Sequence, residues 1–236
     1  MQTFEAFDGA LLIDKPKGPT SHDVVDAIRR HFQIRKVGHA GTLDPNATGL
    51  LILLLGHGTR LSEKLMADDK VYSGTACFGQ ATDSYDADGR TLETRPVPAL
   101  TLEHLNGLAQ EFVGDQMQTP PMVSAVKKDG VPLYKLARKG VEVERKARLI
   151  HVYNFRFSSY QEPLGCFRIS CTKGTYVRSL IHELGQKIGC GAHLYNLRRE
   201  NSGAYDVAQA LAFEDALKLS KAELERRVIP FLQLAG

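Results

Sequence analysis
No stretch of this chain holds 18 or more consecutive apolar residues, so no segment is expected to span a membrane. The opening Met1-Gln2-Thr3-Phe4-Glu5 lacks a basic region followed by an apolar run, so no secretory signal is expected and the cytoplasm is the expected location. Cysteine is sparse. Cys77, Cys166, Cys171 and Cys190 form no C-x-x-C pair, and the spacing of Cys166 and Cys171 is unlike that of zinc sites. They read as reduced core thiols. The eight histidines include no H-x-x-x-H pair, so no metal site is expected. The chain also lacks G-x-x-x-x-G-K-S/T and G-x-G-x-x-G loops. No Ser-His-Asp set is readable, and no second carboxylate pairs with a first as in glycosidases. Phosphate-driven and cofactor-driven chemistry find no support, and no cofactor is expected.

What is present is ordinary globular composition: 236 residues, 43% hydrophobic and 24% charged. That length suits one large domain or two small ones. The net charge of +3 hides an uneven distribution. Residues 127–148 hold eight basic residues (Lys127, Lys128, Lys135, Arg138, Lys139, Arg145, Lys146, Arg148) against three acidic ones. Residues 173–199 hold five (Lys173, Arg178, Lys187, Arg198, Arg199) against Glu183 alone. The two windows together carry +9, which leaves −6 for the remainder. A basic face on an acidic body suits a polyanion such as nucleic acid, although two solvated helix faces would give the same count.

Residues 10–13 read as a buried strand, stopped by the prolines and glycine of 14–19. Thr20 or Ser21 then caps a helix to about Phe32, with Val24, Val25, Ile28 and Phe32 on one face. A loop at 35–49 follows. Residues 50–55 are apolar throughout, as in a central strand covered on both faces. A short helix is expected at 60–66, a strand at 70–79 and a polar turn at 82–89. The next helix spans about 102–112, burying Leu102, Leu105, Leu108, Ala109 and Phe112. Pro120, Pro121, Gly130, Pro132 and Gly140 make 117–146 an excursion from the core, with a short helix at 133–139. Strands at 149–157 and 165–172 alternate in the half-buried manner, with Tyr153, Phe155 and Phe157 inward on the first. A helix at 175–188, a strand near 193–199 and a helical stretch at 213–228 complete the chain. One mixed α+β domain, 1–236, with a basic insertion is the simplest account.

The loop at 35–49 contains His39-Ala-Gly-Thr-Leu-Asp-Pro45. Asp44 precedes a proline, which biases its backbone away from the helical region. Gly38, Gly41 and Gly49 permit close approach of a ligand to the backbone. Taken alone, an Asp-Pro pair is more often a turn than a catalyst.

Several segments read together say more. Gly-His39-Ala-Gly-Thr-Leu-Asp44-Pro-Asn-Ala-Thr-Gly, Lys70-Val-Tyr72, Pro120-Pro-Met-Val-Ser-Ala-Val-Lys127, Gly174-Thr-Tyr176-Val-Arg178-Ser and Leu197-Arg-Arg-Glu-Asn-Ser-Gly resemble the TruB family of tRNA pseudouridine synthases. Leu12-Ile-Asp-Lys-Pro-Lys-Gly-Pro-Thr-Ser21 and Gly189-Cys-Gly-Ala-His193 are similar to its bacterial branch. The resemblance covers roughly residues 9–205, in the family's order and approximate spacing.

The resemblance implies a pseudouridine synthase fold: α+β, with a central mixed, mostly antiparallel sheet flanked by helices and a basic thumb-like insertion. It implies that one uridine of the tRNA T loop (position 55) is isomerised to pseudouridine. The glycosidic N–C bond breaks, the uracil turns, and a C–C bond forms. Asp44 matches the essential aspartate, as nucleophile or as base at the sugar C2′. Arg178 matches its arginine partner, which would keep the carboxylate ionised. Tyr72 matches the aromatic that stacks on the uracil and serves in later proton transfer. Tyr176 and Leu197 match residues lining the base pocket. His39 matches the histidine that fills the gap left by the flipped nucleotide. Asp86 matches a residue that helps hold the substrate. The insertion 118–148, with Lys127, Lys128, Arg138 and Lys139, corresponds to a mobile element that closes over the RNA backbone. The family's C-terminal PUA domain is not expected, since 31 residues follow Tyr205. The implied protein is a monomer that binds the tRNA T arm without an obligate protein partner. An RNA-binding or tRNA-folding factor on the same scaffold is the alternative.

Overall fold
The computed structural model describes residues 7–124, 127–128, 130–133, 141 and 143–235. In chain order the first elements are β1 (Gly9–Lys15), α1 (Ser21–His31), β2 (Val37–His39), β3 (Ala47–Leu55), α2 (Ser62–Met66) and β4 (Lys70–Phe78). Then come β5 (Gln80–Thr82), β6 (Thr91–Thr94), α3 (Leu102–Gln110), β7 (Gly114–Gln118), β8 (Lys127–Lys128), β9 (Val131–Pro132), β10 (Arg148–Gln161) and β11 (Leu164–Cys171). Last are α4 (Val177–Ile188), β12 (Ala192–Ser202), β13 (Tyr205–Asp206), β14 (Leu211–Ala212), α5 (Phe213–Ala216), α6 (Lys221–Glu225), β15 (Ile229–Pro230) and α7 (Phe231–Ala235). The chain divides into two compact units, residues 1–72 with 198–236, and residues 73–197.

In the first unit the strands run β14-β1-β3-β12. β1 pairs antiparallel with β3, from Gly9 opposite Leu55 to Lys15 opposite Gly49, and parallel with β14. β3 is buried along nearly its whole length, as its continuous apolar run requires. Leu50, Ile52 and Leu54 join Ala10, Leu12, Ala40, Leu65 and Leu234 in one core cluster. α1 starts at a reciprocal cap: Asp23 N–H donates to the Thr20 hydroxyl, and the Asp23 carboxylate accepts from Thr20 N–H at 2.8 Å. The helix then turns Val24, Val25 and Ile28 inward.

Two expectations change here. The segment 35–49 is not loop throughout: Val37–His39 pairs with Leu53–Leu55 of β3 as a third strand. The helical stretch expected at 213–228 is two short helices. Ser220 interrupts it by capping α6 with Glu223, and the Ser-x-x-Glu spacing carries that signal.

In the second unit the strands run β12-β4-β11-β10-β7, and the β10–β11 hairpin dominates. Its register slips between Val152 and Asn154, and again between Phe157 and Ser159. The first slip reverses the alternation expected of β10. Tyr153 is 50% exposed, whereas Phe155 and Phe157 are buried with Phe167 at centroid distances of 5.4–5.8 Å. At the second slip Asn106 of α3 bonds both backbone groups of Phe157, accepting at 2.8 Å and donating at 3.1 Å. α3 buries Leu105 and Ala109, but Leu102, expected inside, is exposed. The polar turn at 82–89 is the tip of the β5–β6 hairpin. Most of the helix expected at 133–139 lies outside the described residues. Both units are sheet flanked by helix, and the pairing is mixed and mostly antiparallel.

Candidate active site
The first unit positions His39, Asp44 and Tyr72. Asp44 opens a tight turn in which its carbonyl accepts from Ala47 N–H at 3.0 Å, with Pro45 in the position that proline favours. The bland reading of Asp-Pro is therefore correct for its backbone, and the side chain is left half-buried. The turn is held from both sides. Ser21 Oγ accepts from Leu43 N–H at 2.8 Å and donates to the Leu43 carbonyl at 3.1 Å. Gly18 N–H donates to the Pro45 carbonyl at 2.9 Å.

Lys15 is the third clamp. Its side chain turns back from the end of β1, and Nζ donates to the carbonyls of Pro16, Pro19 and Pro45 at 2.9, 2.8 and 3.2 Å. Burial pushes the ammonium down to about 8, the charge of Asp44 pulls it back up, and Arg199 pushes it down further. The Lys-Pro-Lys-Gly-Pro segment, read as a break after β1, is thus the wrapping of a buried cation.

His39 ends β2, half-buried, and its Nδ1 has no hydrogen-bond partner among the described residues. Its imidazole is held below the ordinary range, first by burial and then by the charges of Arg199 and His22. A neutral ring at physiological pH suits a side chain expected to stand in for a nucleobase. Tyr72 lies on β4, also half-buried, and its side chain raises the Arg199 guanidinium against the lowering that burial imposes.

The second unit positions Asp86, Tyr176, Arg178 and Leu197. Asp86 sits in the hairpin tip, where Oδ1 accepts from the Ser84 hydroxyl at 2.5 Å and from Asp88 N–H at 3.1 Å. β12 grips this tip: Leu194 N–H donates to the Tyr85 carbonyl at 2.9 Å, and Ala87 N–H donates to the Leu194 carbonyl at 3.0 Å. Tyr85 between them has a φ of 65°, a left-handed conformation that costs a non-glycine residue about 1–3 kcal/mol. Its ring stacks on His182 at 3.9 Å. The strained tip presents Asp86 Oδ2 to Arg178, which donates to it from Nη1 at 3.2 Å. Arg178 is 3% exposed, so this pair neutralises a buried cation. Sequence reasoning expected Asp86 to hold substrate; the contact found here is with Arg178.

Tyr176 is the residue before the first turn of α4, and Gln118 fixes it. Tyr176 N–H donates to Gln118 Oε1 at 2.7 Å, and Gln118 Nε2 returns a bond to the Tyr176 carbonyl at 3.1 Å. The Arg178 guanidinium lies 5.7 Å from the centre of the Tyr176 ring. Leu197 is half-buried on β12. Lys127 and Lys128 form one strand of the β8–β9 hairpin, whereas Arg138 and Lys139 fall outside the described residues.

The structure thus gathers the expected residues in two sets, His39, Asp44 and Tyr72 in one unit and Asp86, Tyr176 and Arg178 in the other. Sequence reasoning missed Lys15, Ser21, Gln118 and Arg199, whose work is to hold backbone and neighbouring side chains. Among the described residues no cluster of three His, Cys, Asp or Glu side chains is placed to hold a metal, and no helix is long and apolar enough to cross a membrane.

The chain is similar to known proteins along its length. The description "TruB family pseudouridylate synthase (N terminal domain)" matches residues 29–177, and "tRNA pseudouridylate synthase B C-terminal domain" matches residues 178–233. A tRNA pseudouridine synthase B of Opitutus terrae is 51% identical over 235 residues, covering 100% of this chain and 98% of that protein. Those of Syntrophotalea carbinolica and Endomicrobium trichonymphae are 47% and 41% identical, over 92% and 97% of this chain and 70% and 99% of theirs. Among solved structures, a Cbf5-Nop10-Gar1 complex contains a chain that superposes with a TM-score of 0.76 at 27% identity, over 97% of this chain and 62% of that one. The present chain therefore spans less than two thirds of that structural relative. Both family descriptions meet end to end at Arg178, 98% of the Opitutus protein is matched, and the sheet superposes on a pseudouridine synthase fold: the chain belongs to the TruB family of pseudouridylate synthases.

Proposed function
We propose that this protein is a tRNA pseudouridine synthase that isomerises the T-loop uridine, position 55, to pseudouridine. The observation that carries this reading is the half-identical, end-to-end match to a relative of that name. In this reading the target nucleotide leaves its stack, at a cost of roughly a few kcal/mol, and His39 occupies the space it vacates. Asp44 acts on the sugar, as nucleophile at C1′ or base at C2′. Arg178, with Asp86 behind it, keeps that carboxylate ionised. Tyr72 stacks on the uracil and takes part in the final proton transfer. Tyr176 and Leu197 bound the base. Lys127, Lys128, Arg138 and Lys139 contact phosphates. The rigid clamping of the Asp44 turn by Ser21, Gly18 and Lys15 supports a role for Asp44, because a carboxylate that must meet one atom of a nucleoside needs a fixed backbone.

The protein is further proposed to act in the cytoplasm as a monomer on the T arm, without obligate protein partners and without a cofactor. Purified protein is incubated with an unmodified T-arm stem-loop and with full-length tRNA, and pseudouridine is measured in nuclease digests. Conversion is expected with the wild type, whereas Asp44→Ala binds RNA but does not convert it. Wild-type inactivity on both RNAs refutes the synthase reading and leaves an RNA-binding or tRNA-folding role. Conversion by Asp44→Ala at the wild-type rate refutes the assignment of Asp44.

A further inference from the structure
The tip of the β5–β6 hairpin meets α4 at two consecutive residues. Asp86 Oδ2 accepts from Arg178 Nη1 at 3.2 Å. The Tyr85 ring lies on the His182 ring, with centroids 3.9 Å apart and planes inclined by 17°. Arg178 and His182 stand four residues apart, neighbours on one face of the helix. In an extended chain successive side chains point to opposite faces, so Tyr85 and Asp86 could not both address that face. The left-handed Tyr85, at a φ of 65°, breaks the alternation and turns both toward α4.

A left-handed turn position favours glycine, asparagine or aspartate, not tyrosine. The backbone here is bonded without help from the ring. Tyr85 N–H donates to the Thr82 carbonyl at 3.3 Å, and the Tyr85 carbonyl accepts from Leu194 N–H at 2.9 Å. The Asp86 carbonyl accepts from the Thr82 hydroxyl at 2.8 Å and from Gly89 N–H at 3.2 Å. These bonds hold the tip to itself and to β12, and none of them reaches α4. Toward the helix the tip offers the Asp86 carboxylate and the Tyr85 ring. On the helix side, His182 Nδ1 is buried with no hydrogen-bond partner among the described residues. Burial also holds the imidazole below its ordinary range, so it adds no second cation one turn from Arg178 at physiological pH. A strained tyrosine that the turn itself does not require is retained for what its ring does.

We infer that Tyr85 and His182 are positioning residues for the isomerisation: their stack sets the angle at which the hairpin tip meets α4, and so the orientation in which Asp86 holds the Arg178 guanidinium. The inference rests on the reading of Arg178 as the partner that keeps the Asp44 carboxylate ionised. Neither ring is assigned a contact with the substrate. Both act through the Asp86–Arg178 pair, and a flat ring laid on a flat ring resists the tilting that a carboxylate–guanidinium contact alone tolerates.

Single-turnover conversion of a T-arm stem-loop is the first readout. Tyr85→Gly supplies the residue that the left-handed backbone prefers and removes the ring. It is expected to slow conversion by about tenfold or more, with RNA affinity unchanged within about twofold, the kind of loss that misplacing a group from a distance produces. Conversion at the wild-type rate would mean that Tyr85 merely forms the turn, and overturns the inference. Tyr85→Phe keeps the flat ring and is expected to recover most of the rate; a rate no better than that of Tyr85→Gly overturns the role given to the stack. His182→Ala removes the other half of the stack. It is expected to slow conversion as Tyr85→Gly does, but to cost nothing further in an Asp86→Asn background, where no carboxylate remains to be aimed. The same loss in both backgrounds means that the rings only support the fold, and overturns the inference.

Backbone hydrogen exchange of residues 83–89 gives a second readout that needs no reaction. Its amides include Ala87 N–H, which donates to the Leu194 carbonyl at 3.0 Å. His182→Ala leaves the hairpin's own sequence intact and is expected to speed exchange there by about tenfold or more, while β10 exchanges as in the wild type. Unchanged exchange at 83–89 overturns the inference, even where Tyr85→Gly does not fold. Faster exchange at 83–89 in a protein whose wild type converts no RNA supports the stack as the tip's support and removes the synthase reading instead.

Discussion
Gly49→Ala tests whether the backbone around Asp44 and Arg199 is as tightly specified as the geometry indicates. Gly49 has a φ of +98°, and a Cβ there would lie 2.4 Å from the Arg199 carbonyl oxygen and 2.7 Å from the Arg199 nitrogen. Both are backbone atoms, so no side chain can swing aside. Ordinary contact begins near 3.4 Å, and the β3 and β12 backbones must part by about 1 Å to admit the methyl group. Overpacking of this kind costs about 1–3 kcal/mol, and the left-handed backbone adds about 1–2 kcal/mol for an L residue. The expected loss is about 2–5 kcal/mol, a large part of a typical domain's stability of about 5–15 kcal/mol. Gly18→Ala is the internal control. Gly18 has a φ of +114°, and an added methyl group there would meet nothing within 4 Å, so it pays the backbone cost alone, about 1–2 kcal/mol. Urea unfolding of both variants, with unchanged m-values, measures the difference. Because displacing Arg199 also displaces its bonds to Gly41 and Leu50, Gly49→Ala should slow single-turnover conversion more than tenfold. Equal stability of the two variants within about 0.5 kcal/mol would refute the close-approach argument.

Three other outcomes are expected. Asp86→Asn makes one charged partner of the buried Arg178 neutral and should lower unfolding stability by about 1–3 kcal/mol, together with a loss of conversion; unchanged urea midpoints would show that the pair contributes nothing. Lys15 titrates at about 8 in the fold against an ordinary 10.5. Between those values the unfolded chain holds a proton that the folded chain has released, so this group's contribution to stability rises with pH. Lys15→Met should therefore show a shallower rise, or steeper fall, of unfolding free energy across that window than the wild type, and parallel curves would contradict the shift. Neutralising Lys127, Lys128, Arg138 and Lys139 together should weaken RNA binding and flatten its dependence on salt concentration, since each lost phosphate contact releases one fewer counterion; an unchanged salt slope would rule out those contacts.

Elements whose hydrophobic pattern is long enough to have a period were legible. The continuous apolar run of β3 and the Val24-Val25-Ile28 face of α1 lie where the pattern predicts. The misses share a cause. β2 has three residues, too few to show alternation, and exists because β3 offers it a partner. Tyr153 faces outward because a register slip in β10 shifts the phase of alternation, and slips of that kind leave no mark in residue type. The break at Ser220 did leave a mark, a capping box, which the amphipathic pattern on either side obscured.

For the candidate site, Asp44 drew notice by itself as a carboxylate in a glycine-rich loop, whereas His39, Tyr72, Tyr176 and Arg178 were singled out by the resemblance to the TruB family. Their supports were not visible, and the reason is physical. Lys15, Gln118 and Arg199 act mainly by donating to, or accepting from, backbone carbonyls and amides distant in the chain. A side chain that bonds backbone is indifferent to the identity of the residue it holds, so the sequence carries no complementary partner for it. Composition even misdirects: Arg199 adds to a count of positive charge that reads as an RNA-binding surface, yet it is buried and turned toward the protein's own carbonyls. A cation spent in this way contributes no counterion release. Charge-neutral replacement of Arg199 is therefore expected to leave the salt dependence of RNA binding unchanged while altering conversion, the opposite of the pattern expected for the insertion lysines.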